Sequence, residues 1–139
     1  MIVLDTNVLS ELMRPRPVDQ VVSWVGSRPG YELFTTAISE AEIFYGIELL
    51  SKGKRRDLLL AAAEAMFAED FAGRVLSFDN EAARAFATIV VGRRALGKPI
   101  SHADAQIGAI ALSRGAMLAT RNMQDFEDCG VRLVDPWRK

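Results

Sequence analysis

A chain of 139 residues, half of them apolar and a quarter charged, predicts one domain spanning 1–139 whose core needs neither disulfides nor a structural metal. The net charge of −1 excludes a strongly basic nucleic-acid coat, so any RNA or DNA contact must come from local patches. A single cysteine, Cys129, excludes an internal disulfide. With His102 as the only histidine, Cys/His zinc sites and Ser-His-Asp triads are poorly supported, which leaves an acid-only metal site open.

The chain begins with the apolar run Ile2-Val3-Leu4, read as a buried strand, and Val8, Leu9, Leu12 and Met13 then recur at helical spacing. Asp5 therefore stands at a strand-to-helix junction, where it is at once a candidate helix cap and a candidate for chemistry at the carboxyl edge of a sheet. Arg14-Pro15-Arg16-Pro17 breaks that helix, and Val18, Val21, Val22 and Val25 mark a second amphipathic segment ending near Gly26. Leu33 to Thr36 reads as a strand. Ser39-Glu40-Ala41-Glu42 has the capping-box spacing and leads into Ile43, Phe44, Ile47 and Leu50, a helix ending by Gly53. Lys54 to Phe71, rich in Ala and Leu, predicts a buried helix. A strand from Val75 to Phe78 and a helix from Asp79 to Leu96 follow. Beyond the turn Gly97–Ser101, a helix from His102 to Arg114 carries Ile107, Ile110 and Ala111 on its inner face. Met117 to Thr120 and Arg132 to Val134 complete the set of strands. Strands alternating with helices predict an α/β fold, a parallel sheet covered on both faces. The first apolar stretch has no basic region before it and no segment approaches a membrane span, so the expected location is the cytoplasm.

Glu42, Asp104 and Asp125 follow Ser39, Ser101 and Asn122 at three residues, which is the capping-box spacing or its Asp variant, and each acid taken alone is explained as a cap partner. The functional reading depends on their meeting. Helices that follow parallel strands start on one edge of the sheet, so Asp5, Glu42 and the Asn122/Asp125 pair are expected to crowd one rim. Two helices separate the third strand from the fourth, so spacing does not assign Asp104 to an edge. Uncompensated carboxylates repel until one takes up a proton or a cation joins them, and Mg²⁺ or Mn²⁺ is the natural hard cation for such oxygens.

Leu4-Asp5-Thr6-Asn7-Val8-Leu9-Ser10, Ala41-Glu42 with Tyr45-Gly46-Ile47, Pro99-Ile100 with Asp104-Ala105-Gln106-Ile107, Thr120-Arg121-Asn122 with Asp125-Phe126, and Asp135-Pro136-Trp137 together resemble the PIN-domain endoribonucleases, in particular toxins of the VapC/FitB type. The resemblance extends in order from Met1 to Trp137. It implies a three-layer α/β/α sandwich with a parallel sheet of four to five strands and an acidic pocket for Mg²⁺ or Mn²⁺. It further implies that Asp5, Glu42 and Asp104 face one another, with Asp5 and Asp104 as the metal ligands. Many family members carry an acid at the position of Asn122, so here the fourth carboxylate is either replaced by an amide or supplied by Asp125. Thr6, Ser39 and Thr120 match small hydroxyl positions that can hold waters or carboxylates behind the ligands, and could equally be caps.

The reaction expected from this resemblance is hydrolysis of an RNA phosphodiester, with Glu42 helping to take the proton of the attacking water. Cations must offset phosphate repulsion at an acidic rim. Arg14, Arg16 and Arg121 flank the acidic motifs, with Arg121 the leading candidate, while Lys52, Lys54, Arg55, Arg56, Arg93, Arg94 and Lys98 form two further basic groups. The resemblance also implies an antitoxin partner whose tail occupies the active-site groove, and a toxin homodimer within a hetero-oligomer, for which Val21, Trp24 and Val25 offer an interface or else core packing. Two other readings are a receiver-like binding module and a PIN-like scaffold with a decayed site. The first wants paired acids at the first strand and a lysine after the last, neither of which is present; the second is permitted by Asn122.

Overall fold

The computed structural model describes residues 1–139. Five parallel strands, β1 (Ile2–Leu4), β2 (Leu33–Thr36), β3 (Val75–Leu76), β4 (Met117–Ala119) and β5 (Leu133–Val134), lie in the order β3-β2-β1-β4-β5. The first strand is thus the central one. It is buried on both faces, as its unbroken apolar run requires. Ile2 and Leu4 pack into one hydrophobic cluster with α1 (Thr6–Leu12), α2 (Asp19–Gly26), α3 (Ala37–Glu48) and α4 (Lys54–Ala65), while Val3 packs into a second with α5 (Asn80–Ala95) and α6 (His102–Ser113). Two cores on opposite faces of one sheet make the expected α/β/α sandwich. No helix is long and apolar enough to cross a membrane.

The direction in which strands are added reverses at β1: β2 and β3 build one side of the sheet, and β4 and β5 build the other. A crevice opens at such a switch point, beyond the carboxyl ends of the central strands. Asp5 follows β1 there, Thr36 ends β2 there, and Thr120 follows β4 there.

Several local expectations are corrected. The third helix starts at Ala37, because the Thr36 hydroxyl takes the Ser39 N–H at 3.0 Å and serves as its cap; Ser39 lies inside the first turn, and Glu42 falls in the second. The segment after Asn122 is a short 3₁₀ turn, Met123–Phe126, held by the Asp125 N–H on the Asn122 carbonyl at 3.0 Å, and the Asn122 side chain caps nothing. The Ala- and Leu-rich helix is mostly exposed, with Ala63 its one buried residue, and closes in a π turn at Met66–Asp70 that turns Met66 and Phe67 inward. Val21 is fully buried, and Trp24 and Val25 pack on the core beside it, so core packing accounts for all three.

Arg93, expected among surface cations, is buried. Its guanidinium donates to the carbonyls of Lys98 (2.7 Å), Asp125 (2.8 Å) and Glu127 (3.0 Å), tying α5 to the turn that carries Asp125. Removing the guanidinium deprives three part-buried carbonyls of their donor, at about 1 to 3 kcal/mol for each one left unpaired. Arg93→Ala is therefore expected to destabilise the protein by about 3 kcal/mol or more in urea unfolding, whereas the exposed neighbour Arg94→Ala should stay within about 0.5 kcal/mol of the parent.

Candidate active site

The crevice is a cavity of about 520 Å³ whose walls include Asp5, Glu42, Asp104 and Asp125, with Thr6, Asn122, Arg14, Arg121 and Trp137 among its other lining residues. Asp104, which spacing left unassigned, stands on the same rim as the other three acids. None of the four is in an ion pair, since every ion pair in the molecule is made by other acids. Arg16, expected beside them, is not part of the wall.

Asp5 is 5% exposed and is held from two sides. One carboxylate oxygen takes the Thr6 N–H at 2.8 Å, so the acid does cap α1, and the other takes the Thr120 hydroxyl at 2.8 Å. The Thr120 oxygen in turn accepts from the Asn7 side-chain amide (3.3 Å) and from the Asn122 N–H (3.1 Å), while the Asn7 side-chain oxygen accepts from the Arg121 N–H (3.4 Å). Asn7, which the sequence marks only as part of a motif and not as a site residue, thus joins the loop after β4 to the start of α1. Its signal was its place two residues beyond the acid.

Glu42 is exposed, and its Oε1 accepts the Thr6 hydroxyl at 2.7 Å. The Ser39 hydroxyl is 2.9 Å from the same Thr6 oxygen. Thr6 has one proton and the carboxylate can only accept, so the chain of bonds runs from Ser39 to Thr6 to Glu42. Thr6 is therefore shared between two acids, through its N–H to Asp5 and its hydroxyl to Glu42. Asp104 lies in the first turn of α6, where its N–H donates to the capping Ser101 hydroxyl at 3.2 Å; its carboxylate remains on the cavity wall. Asp125 is exposed and reaches the wall from the 3₁₀ turn that Arg93 holds.

Burial, and then the carboxylates of Asp104 and Glu42, push the Asp5 pKa up to about 6 against the hydrogen bonds from Thr120 and Thr6. Asp104 is raised as well, first by burial and then by Asp125 and Glu42, with Ser101 and Arg93 opposing. Hard, uncompensated oxygens of this kind suit a divalent cation. No three of the acids stand close enough to enclose a single ion. The donor set therefore fits Mg²⁺ or Mn²⁺ held by one or two carboxylates with water filling the rest of its shell, the usual manner for Mg²⁺. The Asp5 oxygens each receive one hydrogen bond and retain a lone pair for such an ion.

Comparison with known proteins bears on this geometry. The PIN domain family matches residues 2–130. A VapC ribonuclease, Y4jK, from Sinorhizobium fredii is 39% identical over 137 residues, covering 99% of this chain and 98% of its own. Toxin FitB from Neisseria gonorrhoeae is 38% identical, covering 99% of both chains. The crystal structure of FitAcB from the same organism superposes with a TM-score of 0.93 at 37% identity, covering 100% of each chain.

The raised Asp5 pKa has a thermodynamic sign. Between about pH 4 and pH 6 the native state keeps a proton on Asp5 that the unfolded chain has lost, so stability of the metal-free protein declines as pH rises through that window and levels off above it. The full effect is on the order of 3 kcal/mol. Asp5→Asn, which removes the charge and keeps the Thr6 bond through its amide oxygen while giving up the one from Thr120, is expected to melt higher than the parent at pH 7.5 in chelator and to lose that advantage at pH 4. Thermal melts of both proteins at the two pH values check it.

Proposed function

The chain belongs to the PIN-domain family, and from that premise we propose that it is a Mg²⁺- or Mn²⁺-dependent endoribonuclease acting as the toxin of a toxin–antitoxin pair. The observation that carries the reading is the convergence of four unpaired carboxylates on one cavity at the switch point of the sheet. Asp5 and Asp104 are the residues that would hold the cation. When bound, it supplies Lewis acidity to the scissile phosphate and to a water.

The remaining work falls to the chain itself. Glu42 has one oxygen engaged by Thr6 and the other free toward solvent, and no cation competes for it, so its free oxygen can take the proton of the attacking water. Thr6 fixes the Glu42 carboxylate relative to Asp5, because one residue donates to both. Thr120 fixes Asp5, and Asp125 adds a further negative charge where Asn122 carries none. Water attack leaves a 5′-phosphate and a 3′-hydroxyl; attack by the ribose 2′-hydroxyl would leave a cyclic phosphate.

An antitoxin is the partner that the toxin reading calls for, one of the relatives being named Toxin FitB. A second groove of about 840 Å³ adjoins the acidic cavity and shares Thr6, Ser10, Arg14 and Glu42 with it. Ile43, Ile47, Leu50 and Leu58 give it an apolar wall, suited to the apolar face of a partner segment. A homodimer and a hetero-oligomer are part of the same reading, as is a cytoplasmic location.

Incubation of the purified protein with single-stranded RNA tests the nuclease. Cleavage is expected in Mg²⁺ or Mn²⁺ and not in EDTA, with 5′-phosphate ends. Glu42→Gln should lower kcat by about 10²- to 10⁴-fold. Asp5→Asn and Asp104→Asn should weaken metal binding, read directly by titration calorimetry with Mn²⁺. Undiminished cleavage in EDTA, or cyclic phosphate ends, would overturn the mechanism.

A further inference from the structure

Two arginines share the cavity wall with Asp5, Glu42, Asp104 and Asp125, yet neither pairs with any of these four. Coulomb attraction alone would draw a long, flexible guanidinium onto such a cluster, so something holds each one back. For Arg14 it is Glu11, an acid only 4% exposed, whose Oε1 stands 3.5 Å from the guanidinium while its Oε2 takes the Val18 N–H at 3.0 Å. Glu11 thereby clamps the Arg14-Pro15-Arg16-Pro17 turn at both ends. For Arg121 it is Trp137, whose ring lies under the guanidinium with 5.2 Å between the guanidinium carbon and the ring centroid. Trp137 itself packs on the first hydrophobic cluster, so the platform is rigid. Arg121 is also fixed through its backbone by Asn7.

No other cation lines the acidic cavity. Arg93 is buried on carbonyls, Arg56 pairs with Glu48, and Lys98 pairs with Glu127 and Asp128. Arg14 and Arg121 are thus the two cations on the acidic cavity, each braced by a residue of a different kind, and both keep outward-facing surface.

Resting on the ribonuclease reading above, we propose that Arg14 and Arg121 form a split clamp that grips the two phosphates flanking the scissile one, so that a single strand of RNA lies across the acids with its central phosphate over them. Planar guanidinium donors match phosphate oxygens bidentately, and a guanidinium already stacked on an indole loses little freedom on binding. Keeping the arginines off the carboxylates serves both partners: the acids remain available to a cation, and the arginines to the strand. The clamp predicts a minimal substrate with a phosphate on each side of the cut.

Binding of a short single-stranded RNA in Ca²⁺, with the RNA confirmed intact on a gel, tests the clamp apart from catalysis. Arg14→Ala and Arg121→Ala should each raise Kd about tenfold and each reduce the slope of log K against log salt by about one, with the double variant losing about two. Arg121→Lys should retain the slope, and Arg94→Ala, on α5 away from the cavity, should change neither quantity. A neutral methylphosphonate linkage on one flank of the central phosphate should weaken binding to the parent protein but not to Arg14→Ala, and on the other flank not to Arg121→Ala. Unchanged slopes in both single variants, or methylphosphonate effects that persist in full in both, would overturn the clamp. Slopes that fall as expected without any Mg²⁺-dependent cleavage by the parent would uphold the grip on the strand and overturn the nuclease reading instead.

Discussion

The structure turns on the burial of one carboxylate without a cation. Asp5 follows the central strand, is 5% exposed, and faces Asp104 and Glu42 instead of a lysine or arginine. Burying a charge is costly unless it is paired or neutralised, so the surrounding chain is organised to make the site tolerable. The Thr6 N–H and the Thr120 hydroxyl supply what stabilisation the protein itself offers, and burial still wins, as the upward pKa shift records. A structural role alone would be served better by asparagine or serine at the same cap. The excess negative potential is the property that a divalent cation would relieve.

Around that acid, the polar residues form two linked strings. One runs from Ser39 through Thr6 to Glu42, the other from Asn7 and Asn122 through Thr120 to Asp5, and Thr6 joins them. Three segments distant in sequence are locked together by groups that are small and mostly uncharged. The larger charges are handled differently. Arg93 faces inward to brace the turn carrying Asp125, whereas Arg14 and Arg121 are restrained at the lip by Glu11 and Trp137.

Much of this was legible in the residues. The parallel α/β architecture followed from apolar triplets alternating with 3.6-residue periodicity, and Asp5 was placed correctly at a strand end because Ile2-Val3-Leu4 stops there. The meeting of Asp104 with the other acids was not readable from spacing, since two helices intervene between β3 and β4, and it rested on family resemblance. Local chemistry misled in identifiable ways. Ser39 offered a good cap, but Thr36 precedes it by three residues at the strand end and takes that role, leaving Ser39 free to contact Thr6. Ala and Leu in the fourth helix signal helix without signalling burial, because propensity is indifferent to which face meets the core. Arg93 looked like Arg94 because sequence does not show which of two adjacent cations faces inward. Glu11 carried no motif at all; its burial is visible only once the Pro-rich turn folds back over it.

The strand order has a temporal consequence during synthesis. The central strand is the first of the five to be synthesised, yet it pairs on one side with β4, and the hydroxyl that orients its terminal acid lies 115 residues downstream. Such long-range closure is slow and cannot begin before the downstream partner exists. A nascent chain therefore carries Asp5 through the synthesis of the intervening residues without the pocket that gives it meaning, and the acidic centre assembles only once Thr120 has joined it.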